Sequence, residues 1–497
     1  MNRLVDLSIK FCGVKAPNPF WLASAPPTNS EYQVRRAFEA GWGGAVWKTF
    51  GHDPPIVNTA ARYGAIDYDG RKVVGLNNIE LISDRPMADN LREIASVKKA
   101  FPDRALFVSL MVESKRESWH DIVKRAEDTG ADGIELNFGC PHGMSERGMG
   151  SAVGQVPDYT RMIVEWIKEV ARTPVMVKLT PNVSDIRAIG RAAKRGGANA
   201  LSLINTINSI MGVDLDTLYP KPHVAGHGSH GGYCGPAVKP IALNMVSQIA
   251  SDSEIGLPIS GIGGIQAWQD AVEHLLLGAS SVQVCTAVMH YGFRIVQQLI
   301  DGLSGWMRQK GFTRLSDFQG KSVERIRDWG ELDLNYKVVA EIDPAKCINC
   351  GLCYIACEDG CHQSIRKEAV PQQEFLKRIA ELGTPHANGG GVPATGTPAL
   401  GRAGSDTCRQ PGFDVDARTF TSGAEQYIHG AGDGYVNVYT IKQDTCVGCN
   451  MCSLVCPVEG CITMKQMPTG KPPMSWREYQ QLLAEGKTTA IAPPTHV

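Results

Sequence analysis

The sequence predicts an α/β protein built as a (β/α)8 TIM barrel with a smaller cysteine-rich domain behind it. Between Pro19 and Val288 a short apolar or β-branched run followed by an amphipathic stretch of helical spacing recurs eight times. That is the signature of βαβ units on a parallel sheet. Eight units occupy about the 250 residues that a barrel takes, whereas a doubly wound sheet would need fewer strands and a clear nucleotide fingerprint. Past residue 340 the pattern stops and cysteines gather in two tight groups.

Taken in order, the opening DLSIKFCGVKAPNPF alternates and turns at Gly13, as a hairpin covering one barrel end does. Strands are expected at 19–25, 44–49, 106–111, 133–138, 174–180, 200–206, 257–262 and 281–287, with helices such as Val34–Ala40, Tyr159–Val170 and Ala267–Leu277 between them. A helix from Phe293 to Gln309 closes the barrel, so residues 1–310 form the catalytic domain and 311–340 a charged connector. Residues 341–366 and 435–466 are the halves of the cysteine-rich domain, and 467–497 a C-terminal tail. Between the halves, residues 367–434 hold 12 Gly and 5 Pro, a low-complexity composition that reads as a flexible insert with one helix near Gln372–Glu381.

Charge narrows the function. The 497 residues carry 50 Lys+Arg against 51 Asp+Glu, a net charge of −1, with no like-charge run, which argues against nucleic acid as the main partner. Hydrophobic residues make up 43% but never run for the roughly 18 positions a membrane span needs. Arg3, Asp6 and Lys10 leave no secretory pattern at the start, so a cytoplasmic chain with no membrane partner is expected. Fifteen cysteines then read as metal-holding thiolates in a reducing compartment, not as a disulfide framework.

CINCGLCYIAC at 347–357 and CVGCNMCSLVC at 446–456 align at an offset of 99 residues. Both have the C-x2-C-x2-C-x3-C spacing that wraps a short loop around a 4Fe-4S cube, the fourth thiolate serving the other cube in two-cluster ferredoxins. Cys347, Cys350, Cys353, Cys357, Cys446, Cys449, Cys452 and Cys456 are therefore the expected ligands of two clusters in a ferredoxin-like domain. A zinc site pairs two C-x2-C turns and does not need these repeats. Pro457 follows the second motif as the pattern asks, and Glu358 replaces it in the first. Cys361 and Cys461 read as small core residues, Cys408 as incidental.

In a barrel the chemistry sits at the C-terminal strand ends. Those ends supply Ser24, Lys48, Thr49, Asn137, Cys140, Lys178, Asn205, Thr206, Gly263, Gly264, Cys285 and Thr286. Two lysines inside apolar strands need a partner, because an unpaired buried ammonium is costly. A flavin needs cations or donors at its N1–C2 edge and backbone N–H groups at its phosphate. The turns GIGGI and QVCTA suit that phosphate, for FMN or for another phosphorylated ligand. After the fourth strand, NFGCPHGMSERGMGSAVGQ is glycine-rich like a lid. Cys140 at its base can be a nucleophile, a general acid or a small buried residue, and His142 can shuttle its proton or pack the lid. The one G-x-G-x-x-G match, Gly226 to Gly231, follows no strand and opens no helix, so it is not a nicotinamide site.

The stretches RRAFEAGWGG, WKTF, NIELIS, NFGCPHGM, VKLTPNV, INTIN, GGYCGPAVKPIAL and GIGGI resemble the flavin domain of dihydropyrimidine dehydrogenases, which is related to dihydroorotate dehydrogenases. With both cysteine motifs, the chain resembles the iron–sulfur subunit of the bacterial two-subunit form. The insert is the departure, since the family joins the motifs by a much shorter segment. The resemblance implies that Ser24, Lys48, Thr49, Lys178, Gly235, Ile262, Gly263, Gly264, Cys285 and Thr286 touch FMN, and that Asn78, Asn137, Asn205 and Thr206 hold the pyrimidine. It implies Cys140 as the general acid that protonates C5 of uracil or thymine. Four amide or hydroxyl side chains match a ring whose N–H and C=O edge must be paired once buried. Electrons would come from NADH through a partner subunit carrying FAD, then the clusters, in a hetero-oligomer. The competing expectations are a dihydroorotate dehydrogenase running oxidatively and an electron-transfer module without catalysis.

Overall fold

The structure is a computed structural model and describes residues 5–68, 72–381 and 434–489. Two compact units divide between Ile326 and Arg327, inside the stretch expected as a connector. In the first, eight parallel strands close a barrel in chain order: β1 Phe20–Leu22, β2 Gly44–Phe50, β3 Ala105–Leu110, β4 Gly133–Asn137, β5 Val175–Lys178, β6 Ala200–Leu203, β7 Ile259–Ile262 and β8 Ser281–Val284. Their residues are almost all buried, because helices cover the outer face while side chains fill the inside. Each strand overlaps its expected run, and the helices Glu31–Ala40, Pro157–Lys168, Trp268–Leu276 and Ile295–Lys310 overlap theirs.

The expected opening hairpin forms between Ile9–Phe11 and Val14–Ala16. Its Phe11 ring lies 5.4 Å from Trp21 and 6.4 Å from Phe107, edge-on contacts that favour aromatic pairs. Gly44 and Gly133 make the seats: a Cβ would stand 2.8 Å from the Trp21 ring at the first and 2.4 Å from Phe107 at the second. This aromatic plug packs with Ala105 and Ala200, the first residues of β3 and β6, and leaves the C-terminal ends for chemistry.

Those ends carry a feature the sequence pattern did not announce. Segments after β2 and β6 form a four-stranded antiparallel sheet in the order Ile207–Ser209, Gly231–Cys234, Lys72–Asn78, Tyr63–Tyr68. It brings Asn78, Tyr63, Tyr233 and Cys234 to the site. Gly231 of the isolated glycine motif opens one of its strands and no helix, as its context predicts.

In the second unit, Lys337–Ile342 pairs with Ile462–Met467 and Ile365–Pro371 with Tyr435–Ile441, both antiparallel. Each cysteine motif thus lies between two strands and ends in or contains a short helix, Leu352–Glu358 with Cys353 and Cys357 in the first repeat and Met451–Leu454 with Cys452 in the second. The stretch expected as an insert from 367 carries the strand to Pro371 and the helix Gln372–Glu381. Its remainder, 382–433, lies outside the described residues, as does Cys408. In the tail, Ser475 and Glu478 form a capping box on the helix Trp476–Ala484. Among the described residues no helix is long and apolar enough to cross a membrane.

Candidate active site and thiolate centres

A cavity opens at the C-terminal strand ends, and the fifteen barrel residues expected to act there, with His142, all line it. Backbone register explains part of the gathering. Asn137 on β4 stands opposite Lys178 on β5, and Lys178 opposite Ser202 on β6.

A continuous polar chain runs across four strand ends. Ser24 Oγ and Thr49 Oγ1 are 3.0 Å apart, Asn137 Nδ2 donates to Thr49 Oγ1 at 2.9 Å, and Asn205 Nδ2 donates to Asn137 Oδ1 at 2.9 Å. Asn205 Oδ1 in turn accepts from the Thr206 N–H at 2.8 Å. The chain settles which end of each amide is nitrogen. Asn205 lies across Gly139, where a Cβ would meet its Nδ2 at 2.4 Å. Asn78 reaches the site from the capping sheet and donates to the Gly232 carbonyl at 3.0 Å.

Both lysines have found carboxylates. Lys48 pairs with Glu80, which also accepts from Tyr63 and lies 3.4 Å from Arg62. Lys178 Nζ is 4.0 Å from Glu135 Oε1, and Ser202 donates to Glu135 Oε2 at 2.9 Å. Glu135 is fully buried. Sequence reasoning quoted Glu80 inside a motif without singling it out and missed Glu135. A buried lysine is itself the signal for such a carboxylate. Burial, then the Glu80 contact, holds the Tyr63 phenol well above its ordinary range.

Cys140 is buried with Ile82, Met111 and Met144. Its thiol donates to the His142 carbonyl at 3.4 Å, and burial pushes its pKa up to about 11. Hydrocarbon around a thiol disfavours the thiolate, so the group stays a proton donor at neutral pH. His142 Nε2 lies 3.1 Å from the Glu80 carbonyl, and burial lowers its pKa. The lid-like stretch folds as two short helical turns, Ser145–Arg147 and Ser151–Gly154.

At the other side of the cavity Gly263 and Gly264 take φ of +130° and +72°, open to glycine without strain. A Cβ on Gly264 would stand 2.5 Å from Lys239. The Gly264 N–H has no acceptor among the described residues. Gln283 also lines the cavity, gives Nε2 to Ser260 at 3.1 Å and leaves Oε1 buried without a partner. Unpaired donors and acceptors around one cavity, with two cations, fit a phosphorylated, ring-bearing cofactor.

In the second unit, Cys347, Cys350 and Cys353 line one small cavity together with Cys456, whereas Cys446, Cys449 and Cys452 line another with Cys357. The fourth thiol has crossed to the other motif. Each motif needs two left-handed residues to wrap its cavity. Asn349 and Gly351 supply φ of 58° and 76° in the first, and Gly448 and Asn450 supply 70° and 68° in the second. Glycine and asparagine are the residues that reach this region most readily. No three His, Cys, Asp or Glu among the described residues group to hold a single metal ion, and a cube binds each thiolate at its own iron. Cys461 is buried at the first cavity, and the part-exposed Cys361 lines the second.

Comparison with known proteins adds two family matches: dihydroorotate dehydrogenase over residues 6–307 and a 4Fe-4S dicluster domain over 419–464. Among similar proteins, the NAD-dependent dihydropyrimidine dehydrogenase subunit PreA of Escherichia coli is 41% identical over 362 residues, 72% of this chain and 87% of the relative. The chloroplastic dihydropyrimidine dehydrogenase (NADP(+)) of Arabidopsis thaliana is 41% identical over 68% of this chain and 81% of its own. The catalytic subunit of dihydroorotate dehydrogenase B of Pyrococcus abyssi is 37% identical over 64% and 99%. A solved dihydroorotate dehydrogenase structure from Eimeria tenella superposes with a TM-score of 0.54 at 19% identity, covering 64% of this chain and 89% of that one, which speaks to the fold.

Proposed function

The chain belongs to the dihydroorotate dehydrogenase family and is an oxidoreductase of the dihydropyrimidine dehydrogenase kind, and from that premise we propose how it works. It reduces uracil and thymine to 5,6-dihydropyrimidines in the cavity of the barrel. The reading rests on one juxtaposition: the Thr49–Asn137–Asn205–Thr206 chain and the protonated Cys140 thiol line the same cavity.

Asn78, Asn137, Asn205 and Thr206 hold the pyrimidine, pairing its alternating donors and acceptors. FMN is held by Ser24, Lys48, Thr49, Lys178, Gly235, Ile262, Gly263, Gly264, Cys285 and Thr286, and when bound supplies the hydride chemistry. Gln283 Oε1 is an acceptor that a flavin ring N–H would satisfy. Cys140 Sγ–H gives its proton to C5 of the ring, general acid catalysis by a thiol that burial keeps protonated. The apolar contacts of Ile82, Met111 and Met144 keep water from that proton.

The eight motif cysteines hold two 4Fe-4S clusters, Cys456 completing the first set and Cys357 the second. Electrons reach them from a partner subunit that binds FAD and NADH, since the chain's own glycine motif leads into a strand of the capping sheet and not into a helix. The complex is a cytoplasmic hetero-oligomer of two kinds of subunit. Residues 1–326 carry catalysis, and 327–371 with 435–467 carry the clusters.

Oxidation of dihydroorotate is the other reading, and the lysines argue against it. That substrate brings a carboxylate, while Lys48 and Lys178 already face Glu80 and Glu135. The deciding assay offers uracil or dihydroorotate to the anaerobically purified chain with an artificial electron carrier. Uracil consumption without dihydroorotate oxidation is expected, and the reverse would replace this proposal by the other.

A further inference from the structure

His274 lies on the helix Trp268–Leu276, fully buried behind the turn that follows β7. Its Nε2 is 3.2 Å from the Gly263 carbonyl oxygen. A carbonyl only accepts, so the ring carries a proton on Nε2. Burial lowers the imidazole to a pKa of about 4, which leaves it neutral with Nδ1 unpartnered. Space for the ring comes from Gly261, where a Cβ would stand 2.7 Å from Nδ1. An apolar side chain would fill this space without an orphaned nitrogen, whose burial is unfavourable. The contact to Gly263 is what it would lose.

The peptide joining Gly263 to Gly264 is trans, so it is a rigid plate with C=O and N–H on opposite edges. Holding the carbonyl against the helix turns the Gly264 N–H the other way, and Gly264 lines the cavity. Among the described residues no other hydrogen bond holds this plate. Asp270 accepts from the N–H groups of Gln266 and Ala267 at 2.9 and 2.8 Å, and Lys239 is held by Asp270 and Glu273. These contacts steady the neighbouring residues and leave two glycines, each free to change φ and ψ, to the histidine.

We propose that His274 is a positioning residue for the phosphate of the flavin. Its Nε2–H fixes the Gly263–Gly264 peptide so that the Gly264 N–H is presented to a phosphate monoester, while His274 touches no phosphate itself. The inference rests on the FMN reading above and extends it to a residue outside the cavity.

The test compares FMN with riboflavin, which has the ring and lacks the phosphate. The flavin-stripped full chain is titrated with each, following quenching of flavin fluorescence. H274F keeps the ring and removes the N–H, whereas H274Q keeps an N–H at similar reach. H274F should weaken FMN binding about five- to tenfold, the worth of one hydrogen bond, and leave riboflavin within about twofold. H274Q should return FMN to within about twofold of wild type. If H274F yields no folded chain, H274M, flexible enough to refill the space, carries the same comparison. Equal losses for both flavins, or no loss of FMN, would overturn the role of His274 while leaving the flavin reading intact. Failure of the wild-type chain to bind FMN would remove that reading and this inference with it.

Discussion

Burial of Cys140 makes a measurable claim about pH. An ordinary cysteine has a pKa near 9.0, and burial pushes that of Cys140 up to about 11. The shift is upward because burial penalises the thiolate, so the proton-donating form persists to higher pH. At pH 10 about nine-tenths of a pKa 11 thiol is still protonated, against about one-tenth of an ordinary one. Reductive turnover of uracil, measured with an artificial donor so that only the barrel is assayed, should therefore stay level from pH 7 to about 10. The oxidative reaction needs the thiolate, present at about one part in a thousand at pH 8, and should rise about tenfold per pH unit over the same range. Cys140→Ser should bind FMN and uracil yet lose about 10²–10⁴-fold in turnover, the usual contribution of general acid catalysis. A reductive inflection at or below pH 9, or a serine variant of near-wild-type rate, would refute the assignment.

Four further outcomes are expected. Glu80→Gln strips the buried Lys48 ammonium of its carboxylate, so thermal unfolding should show a loss of about 3 kcal/mol; an unchanged midpoint would mean that Lys48 has another counter-charge. Anaerobic chain should carry about eight iron and eight acid-labile sulfide, and Cys456→Ala about four fewer of each, while stoichiometric zinc without sulfide would sink the cluster reading; Cys449→Ala should abolish NADH-driven turnover with the partner present and spare dye-driven turnover. Pro371 stands opposite Tyr435, so replacing 372–434 by a two- to four-residue hairpin turn should leave iron content and uracil reduction nearly intact; loss of the clusters would show that the replaced segment is structural.

What the sequence determined by itself is local. Each barrel strand carries its own apolar run, and each cysteine motif packs four ligands into eleven residues, so eight strands and two thiolate loops were legible without any long-range contact. The strand-end rule then pointed to Ser24, Thr49, Asn137, Lys178 and Asn205 because barrel geometry confines chemistry to one rim. Tertiary structure decided the rest. The capping sheet is made partly of three- and four-residue strands too short to show a period. Glu80 meets Lys48 across 32 residues, and Glu135 meets Lys178 only because β4 and β5 are neighbours in register. Spacing allowed the fourth cysteines to be exchanged, and antiparallel pairing of the outer and inner strands carries Cys456 and Cys357 across. The helix Gln372–Glu381 was legible in the glycine-rich stretch, but the strand to Pro371 before it was not, because composition averages over a window while one partner strand, Tyr435–Ile441, is enough to order seven residues. Counter-charges, exchanged ligands and a histidine behind a glycine turn come from chain closure, which brings together residues whose separation in sequence follows no repeat.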